Sequence, residues 1–209
     1  MAKIALLFLI TFVMGILYAL IQGAQWAFYL YEIIYFLNPG FRWWGQSLPS
    51  ISYSMITAIV FIGAYFLSYK KHQNNNFSSI PLKKWILLII LCYVVVNFFA
   101  VSSSLHLKAM IDFFKMFIIL ALAYKVIDSE KKLEYAILVY LAGCAYIGYE
   151  AYSVGRNSFG RVEGIGTLET PEANGTAAIL VPALPFLIYY FWYKNYKVKR
   201  YWLFSEHLL

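Results

Sequence analysis

Apolar residues come in long runs along this chain. They fill 4–21, 51–69, 84–102, 107–127, 133–152 and 171–193. A helix needs about 20 apolar residues to cross a bilayer, at about 1.5 Å of rise per residue. Each run is therefore read as a membrane helix. Residues 26–37 form a shorter aromatic segment, which spans only if it recruits its flanks. The breaks are polar or turn-forming: Gln22-Gly23-Ala24-Gln25, Asn38-Pro39-Gly40, Gln73 to Ser79, and the stretch from Ser153 to Thr176. The expected fold is all-α, a polytopic integral membrane protein with six or seven transmembrane helices. Pro182 and Pro185 fall inside the last complete run and predict a kink there. A further apolar run begins at Tyr201-Trp202-Leu203-Phe204 and is too short to span before Leu209. The expectation is that the tail lies at the interface or that the chain is the N-terminal part of a longer protein.

Composition agrees with the pattern. Of 209 residues, 62% are hydrophobic and 13% charged, and the mean hydropathy is +0.66. A soluble domain of this length needs far more polar surface. The 19 Tyr, 17 Phe and 6 Trp suit interfacial belts. The net charge of +7 sits in loops rather than on one soluble face, which argues against nucleic acid as a partner. Lys70, Lys71, Lys83 and Lys84 mark one loop, Lys125, Lys131 and Lys132 a second, and Lys194, Lys197, Lys199 and Arg200 a third. The positive-inside rule makes these three cytoplasmic. Loops 38–50, 103–106 and 153–170 then face the other side. Two spans within the first 37 residues put the N-terminus outside, and one span plus an interfacial segment puts it inside.

Several features carry no chemistry of their own. Lys3 precedes an apolar run, but Leu17-Tyr18-Ala19-Leu20-Ile21 lacks a small-residue cleavage site, so the first run reads as an uncleaved helix. Cys92 and Cys144 lie in apolar runs without metal-ligand spacing, and His72, His106 and His207 are scattered. No metal or cofactor is expected. Asn74-Asn75-Asn76 reads as a plain polar turn, and Phe41-Arg42-Trp43-Trp44-Gly45 as an interfacial anchor. Glu150 reads as interfacial and solvated, and Glu32 as a buried carboxylate with Arg42 as its partner across the turn.

Two places carry charge that invites chemistry. The loop from Ser153 to Thr176 is glycine-rich and holds Arg156 and Arg161, then leads through Thr170-Pro171-Glu172 to Asn174 at the start of a new helix. Helix N-termini offer unpaired N–H groups and a positive dipole end, and arginine offers a planar fork that fits phosphate oxygens. The second place is Lys108, Asp112 and Lys115, which share one face of a helix. Lys115 is about 10 Å deeper than Lys108 along the helix, where a charge is costly. One reading is a self-neutralising Asp112–Lys115 pair. The other is a cationic wall for a lipid diphosphate.

Tyr35-Phe36-Leu37-Asn38-Pro39, Trp44-Gly45 and Leu48-Pro49, then Arg161-Val162-Glu163-Gly164, Asn174 and Leu184-Pro185, resemble O-antigen ligase-like proteins, especially those of exosortase systems. The resemblance covers most of residues 1–193. It divides the chain into an N-terminal transmembrane region, 1–135, and the start of the ligase and polymerase core, 136–209. It implies a metal-independent glycosyltransferase of the bacterial inner membrane, without a cofactor. Such an enzyme moves a glycan from an undecaprenyl diphosphate carrier to a lipid or protein acceptor at the periplasmic face. Arg161, Arg156, Lys115, Lys108 and Asn174 are the expected substrate-binding residues, with Arg161 gripping the diphosphate. The catalytic residues are expected beyond Leu209. A non-catalytic membrane subunit or transporter component in polysaccharide assembly or export is the alternative. A transporter should show internal repeats or paired broken helices.

Overall fold

A computed structural model describes residues 2–77, 80, 82–165 and 172–194. The expected tail run at 201–209, the basic residues Lys197, Lys199 and Arg200, His207, and Glu169-Thr170-Pro171 lie outside the described residues. The fold is all-α, with seven helical rods. They are α1 (Ala2–Gln22), α2 (Ala24–Phe36), α3 (Tyr53–Leu67), α4 (Lys83–Asn97), α5 (Ser103–Val126), α6 (Glu130–Val154) and a final rod made of α7 (Ala173–Leu180) and α8 (Ala183–Ile188). Among the described residues, three segments are long and apolar enough to cross a membrane: Lys3–Gln22, Glu130–Val154 and Ala173–Trp192. Only 22%, 11% and 11% of their most apolar windows are covered by protein. Their outward faces are therefore made for lipid or for other protein rather than for water.

The first two helices form an antiparallel hairpin around Gly23, which adopts φ 107°. That backbone region favours glycine. The pairing is read from the contacts: Tyr18 meets Trp26 edge-on at 5.1 Å, Gly15 lies against Leu30, and Phe8 packs on Trp44 beyond the far end of α2. The N-terminus thus sits at the same end of the bundle as loop 38–50. Thirteen residues make α2 about 20 Å long, short for a span. It compensates by lying in the interior: Ala24, Ala27, Tyr29, Leu30, Ile34 and Phe36 are all buried. Helix α3 packs beside it, with Phe61 and Thr57 fully buried. Ser52 caps α3 and Ser129 caps α6, each accepting a bond from the backbone three residues on.

The final rod breaks where its prolines predict. Pro182 cannot donate a backbone N–H, and α7 stops at Leu180. At this break, the carbonyl of Ile179 accepts the Tyr140 hydroxyl at 2.5 Å and the Cys144 thiol at 3.7 Å, both from α6. Neighbouring side chains thereby satisfy backbone exposed in an apolar setting. The hairpin of α4 and α5 is different. Helix α4 buries none of its side chains. It is held to α5 by a Tyr93–Phe113 stack at 4.9 Å and by His106 Nε2, 2.9 Å from the Tyr93 carbonyl.

The end of the bundle away from Trp44 is closed by a polar latch. Asn74 donates to Asp128 at 3.1 Å, and Asn75 donates to the carbonyls of Tyr124 and Ile127. Lys132 donates to Asp128 at 2.5 Å, and the buried Lys125 donates to the Asn75 carbonyl. The asparagines are therefore a clasp between loop 72–77 and the α5–α6 turn, not the plain turn expected. The first two basic loops meet at this one end, as alternating spans require.

Candidate functional site

Loop 38–50 folds into two 3₁₀ turns, Pro39–Phe41 and Gly45–Ser47. Asn38 starts the first by accepting from Gly40 N at 3.1 Å. Gly45 lies so close that a Cβ there would be 1.8 Å from the Pro39 carbonyl oxygen. That tight fold turns Arg42 inward, while Trp43 stays exposed and Trp44 joins the core. Of the expected interfacial anchor, Trp43 alone faces outward among the residues whose side chains are described. The Arg42 side chain is 1% exposed. It donates to the Phe36 carbonyl at 2.7 Å and to the Ile165 carbonyl at 3.0 Å. Its guanidinium lies 5.1 Å from the centre of the Tyr146 ring, a cation–π geometry.

Its carboxylate partner is Glu150, 3.9 Å away, rather than Glu32. Glu150 sits near the C-terminal end of α6, on the helix that carries Tyr146, so the α6 face brings both to Arg42. It is 13% exposed at the side chain, which replaces the solvated position expected of it. Glu32 Oε2 is buried and meets no donor among the described residues. Desolvation lowers the pKa of Arg42, while Tyr146 and Glu150 act against that.

The segment after α6 opens at Gly155, with φ 73°, and closes on itself. Asn157 accepts at its side-chain oxygen from Phe159 N and Arg161 N, and it donates to Glu163 at 3.1 Å. Ile165, 2% exposed, then plugs into the bundle. A cavity of about 410 Å³ lies between this segment and the start of α7, lined by Arg161, Glu163, Glu172, Ala173 and Asn174. The structure thus brings Arg161 and Asn174 together. Arg161 forms no side-chain hydrogen bond or ion pair among the described residues.

The other expected residues lie apart from this cavity. Arg156 is exposed and does not line it. Lys108 and Lys115 are exposed on α5. Lys115 pairs with Asp112 at 3.0 Å, with the two side chains 70% and 54% exposed. That is the self-neutralising geometry of the first reading, and neither lysine contacts the cavity among the described residues. Two carboxylates line it instead. Glu163 and Glu172 each lie two positions from a residue singled out, Arg161 and Asn174, and the signal that could have found them was their position flanking Arg161 and the helix start.

A second, apolar groove of about 680 Å³ runs along α1, α2 and α6. Phe8, Leu37, Trp44 and Tyr146 line one end, and Tyr18, Trp26, Tyr29 and Tyr135 the other. Among the described residues there is no cluster of His, Cys, Asp and Glu that could hold a metal ion.

The helices define the class: an all-α chain with three candidate membrane-spanning helices, which marks a membrane protein. Compared with protein-family models, curated proteins and solved structures, the chain matches none of them.

Proposed function

We propose that this chain holds the polar head of a lipid-linked glycan at the Trp44 end of the bundle, as part of a glycan-transferring membrane enzyme of O-antigen ligase-like type. The observation that carries the reading is the cavity joining Arg161 to the first turn of α7 through Asn174. Arg161 supplies a fork for diphosphate oxygens, and the α7 N-terminus supplies unpaired N–H groups. The two carboxylates would repel a bare diphosphate. They suit a glycan, whose hydroxyls donate to Glu163, Glu172 and Asn174 while the diphosphate meets Arg161. The apolar groove beside α1 fits the tail of a lipid carrier.

In this reading all seven rods lie in the bacterial inner membrane. The polar latch end, with its lysines, faces the cytoplasm, and the Trp44 end faces the periplasm. The carrier is an undecaprenyl diphosphate glycan and the acceptor a lipid or protein. Residues 1–135 form the transmembrane support and 136–209 the start of the core. Transfer would proceed by displacement at the anomeric carbon, with Arg161 stabilising the departing diphosphate.

Arg161→Ala in the full-length protein should lose glycan transfer and keep membrane insertion. Arg161→Lys should recover little, because a point charge cannot replace the fork, and Arg156→Ala should be mild. The assay is transfer from lipid carrier to acceptor in a strain lacking the native enzyme. Full transfer by Arg161→Ala at normal expression sinks the reading.

A further inference from the structure

We infer that Arg42 is a positioning residue for the Arg161 cavity. It fixes where the segment carrying Arg161 and Glu163 stands against the start of α7. This rests on the proposed role of that cavity. The brace itself can be judged without it.

The geometry of Arg42 is unusual for an ion pair. Its carboxylate partner is at 3.9 Å, while its short bonds go to two backbone carbonyls, Phe36 at 2.7 Å and Ile165 at 3.0 Å. Phe36 ends α2, and Ile165 lies 123 residues farther along the chain than Arg42. One guanidinium therefore spans two distant pieces of backbone from two separate nitrogens, Nη1 and Nη2, a fixed fork that the single nitrogen of an ammonium does not reproduce. Ile165 is four residues after Arg161 and two after Glu163. Apart from Gly155 N, which caps α6 on the Ala151 carbonyl, the remaining bonds of the segment among the described residues are internal to it: Asn157 N to the Arg161 carbonyl, Gly160 N to the Asn157 carbonyl, and the Asn157 side-chain bonds. They shape the tip of the loop and do not attach it to anything. Among the described residues, the bond from Arg42 is the one side-chain hydrogen bond that ties 155–165 to another element. Tyr146 and Glu150 fill the space around the guanidinium and hold it in place. Arg42 Nε is buried and meets no acceptor among the described residues. The two hydrogen bonds that the guanidinium does make are both to the backbone it braces.

The test uses the full-length protein in lipid nanodiscs. Amide hydrogen exchange at 161–165 should quicken at least tenfold in Arg42→Gln and in Arg42→Lys, while α1 and α3 keep their protection. Glu150→Gln is combined with Arg42→Gln as a second variant, which removes the unpaired buried carboxylate and keeps the fold if the single change disturbs it. Unchanged exchange at 161–165 in either variant, with α1 and α3 protected, overturns the proposal. Binding of undecaprenyl diphosphate then gives a double-mutant cycle. Arg42→Gln should weaken it about tenfold in the otherwise native protein and not at all on an Arg161→Ala background. Independent, additive losses would show that Arg42 does not act through Arg161 and would also overturn it. If the native protein binds no undecaprenyl diphosphate, the head-group reading fails, and the exchange result alone decides the brace.

Discussion

Helix α6 carries two glycines about 1.4 turns apart, Gly143 and Gly148, that the structure treats in opposite ways, and substituting each in turn gives a test of the packing. At Gly143 an added Cβ would lie 2.2 Å from Phe36 Cδ2 and 2.3 Å from its Cγ. Ordinary carbon contacts are at about 3.5–4.0 Å, so the ring or the helix must yield by about 1.3 Å or more. Phe36 is 3% exposed and has Tyr35 and Tyr140 edge-on at 5.4 and 5.8 Å, so it has nowhere to swing. Overpacking of this kind costs about 1–3 kcal/mol. Against it stands the roughly 1 kcal/mol that alanine gains over glycine in a helix. At Gly148 nothing lies within 4 Å of the added Cβ, so Gly148→Ala keeps the gain without the clash. The helix gain is common to both, so the two variants should differ by the overpacking cost alone, about 1–3 kcal/mol, or roughly 2–12 °C in apparent Tm at the few degrees per kcal/mol usual for this chain length. Thermal unfolding followed by tryptophan fluorescence in one detergent, with both variants at equal concentration, measures the gap. Phe36→Leu should close part of it in the Gly143→Ala background. Equal midpoints for the two alanine variants would refute the close approach of α2 and α6.

Other outcomes follow from the same geometry. Tyr140→Phe removes the hydroxyl that serves the Ile179 carbonyl and should cost about 1 kcal/mol, with faster hydrogen exchange confined to the α7–α8 break. Cysteine at Ser158 should react with a membrane-impermeant thiol reagent from the periplasm and cysteine at Asn75 should not, and the reverse pattern would invert the proposed orientation. Acid should weaken the polar latch in two steps, read as apparent Tm against pH. Burial, with Lys132 and Lys71, lowers the pKa of His72 despite Asp128, so the native state holds less proton than the unfolded one and stability falls as pH drops below about 6.5. Burial raises the pKa of Asp128, but the bonds from Lys132 and Asn74 outweigh it and leave it lowered. Its contribution is therefore present above about pH 3.9 and lost as pH falls through the native value. His72→Phe should abolish the first step and keep the ring contact with Tyr65, and a first step that persists in it would assign that step elsewhere.

The helices were legible because hydrophobic run length and punctuation are local properties. Asn38-Pro39-Gly40, the Gln22-Gly23 break and Pro182 each end an element within a few residues of the expected place. What the pattern could not give is depth. An apolar run reads alike whether lipid or protein covers it, so α2, the shortest segment, ends in the interior while α4, apolar from Trp85 to Val96, buries nothing. The same blindness explains Arg42. A cation among Phe41, Trp43 and Trp44 has the composition of an interfacial belt. The 1% exposure of its side chain and its bonds to the Phe36 and Ile165 carbonyls show instead that the loop turns the arginine inward.

The candidate site divides along the same line. Arg161 and Asn174 were found because a loop and the helix that follows it are neighbours by connectivity. Their meeting at one cavity asks little of the tertiary fold. Lys115 was singled out on depth, on the premise that a charge far down a membrane helix needs a partner elsewhere. Asp112, one helical turn before it, meets that need locally at 3.0 Å, and the premise does not point to the cavity. The residue that does join the first 50 residues to the cavity is Arg42, through a backbone carbonyl. Backbone partners leave no trace in residue identity, since any residue at 165 offers the same oxygen. A polar interaction of this kind is legible only from the donor's side, as a buried arginine whose carboxylate is too far away to account for it.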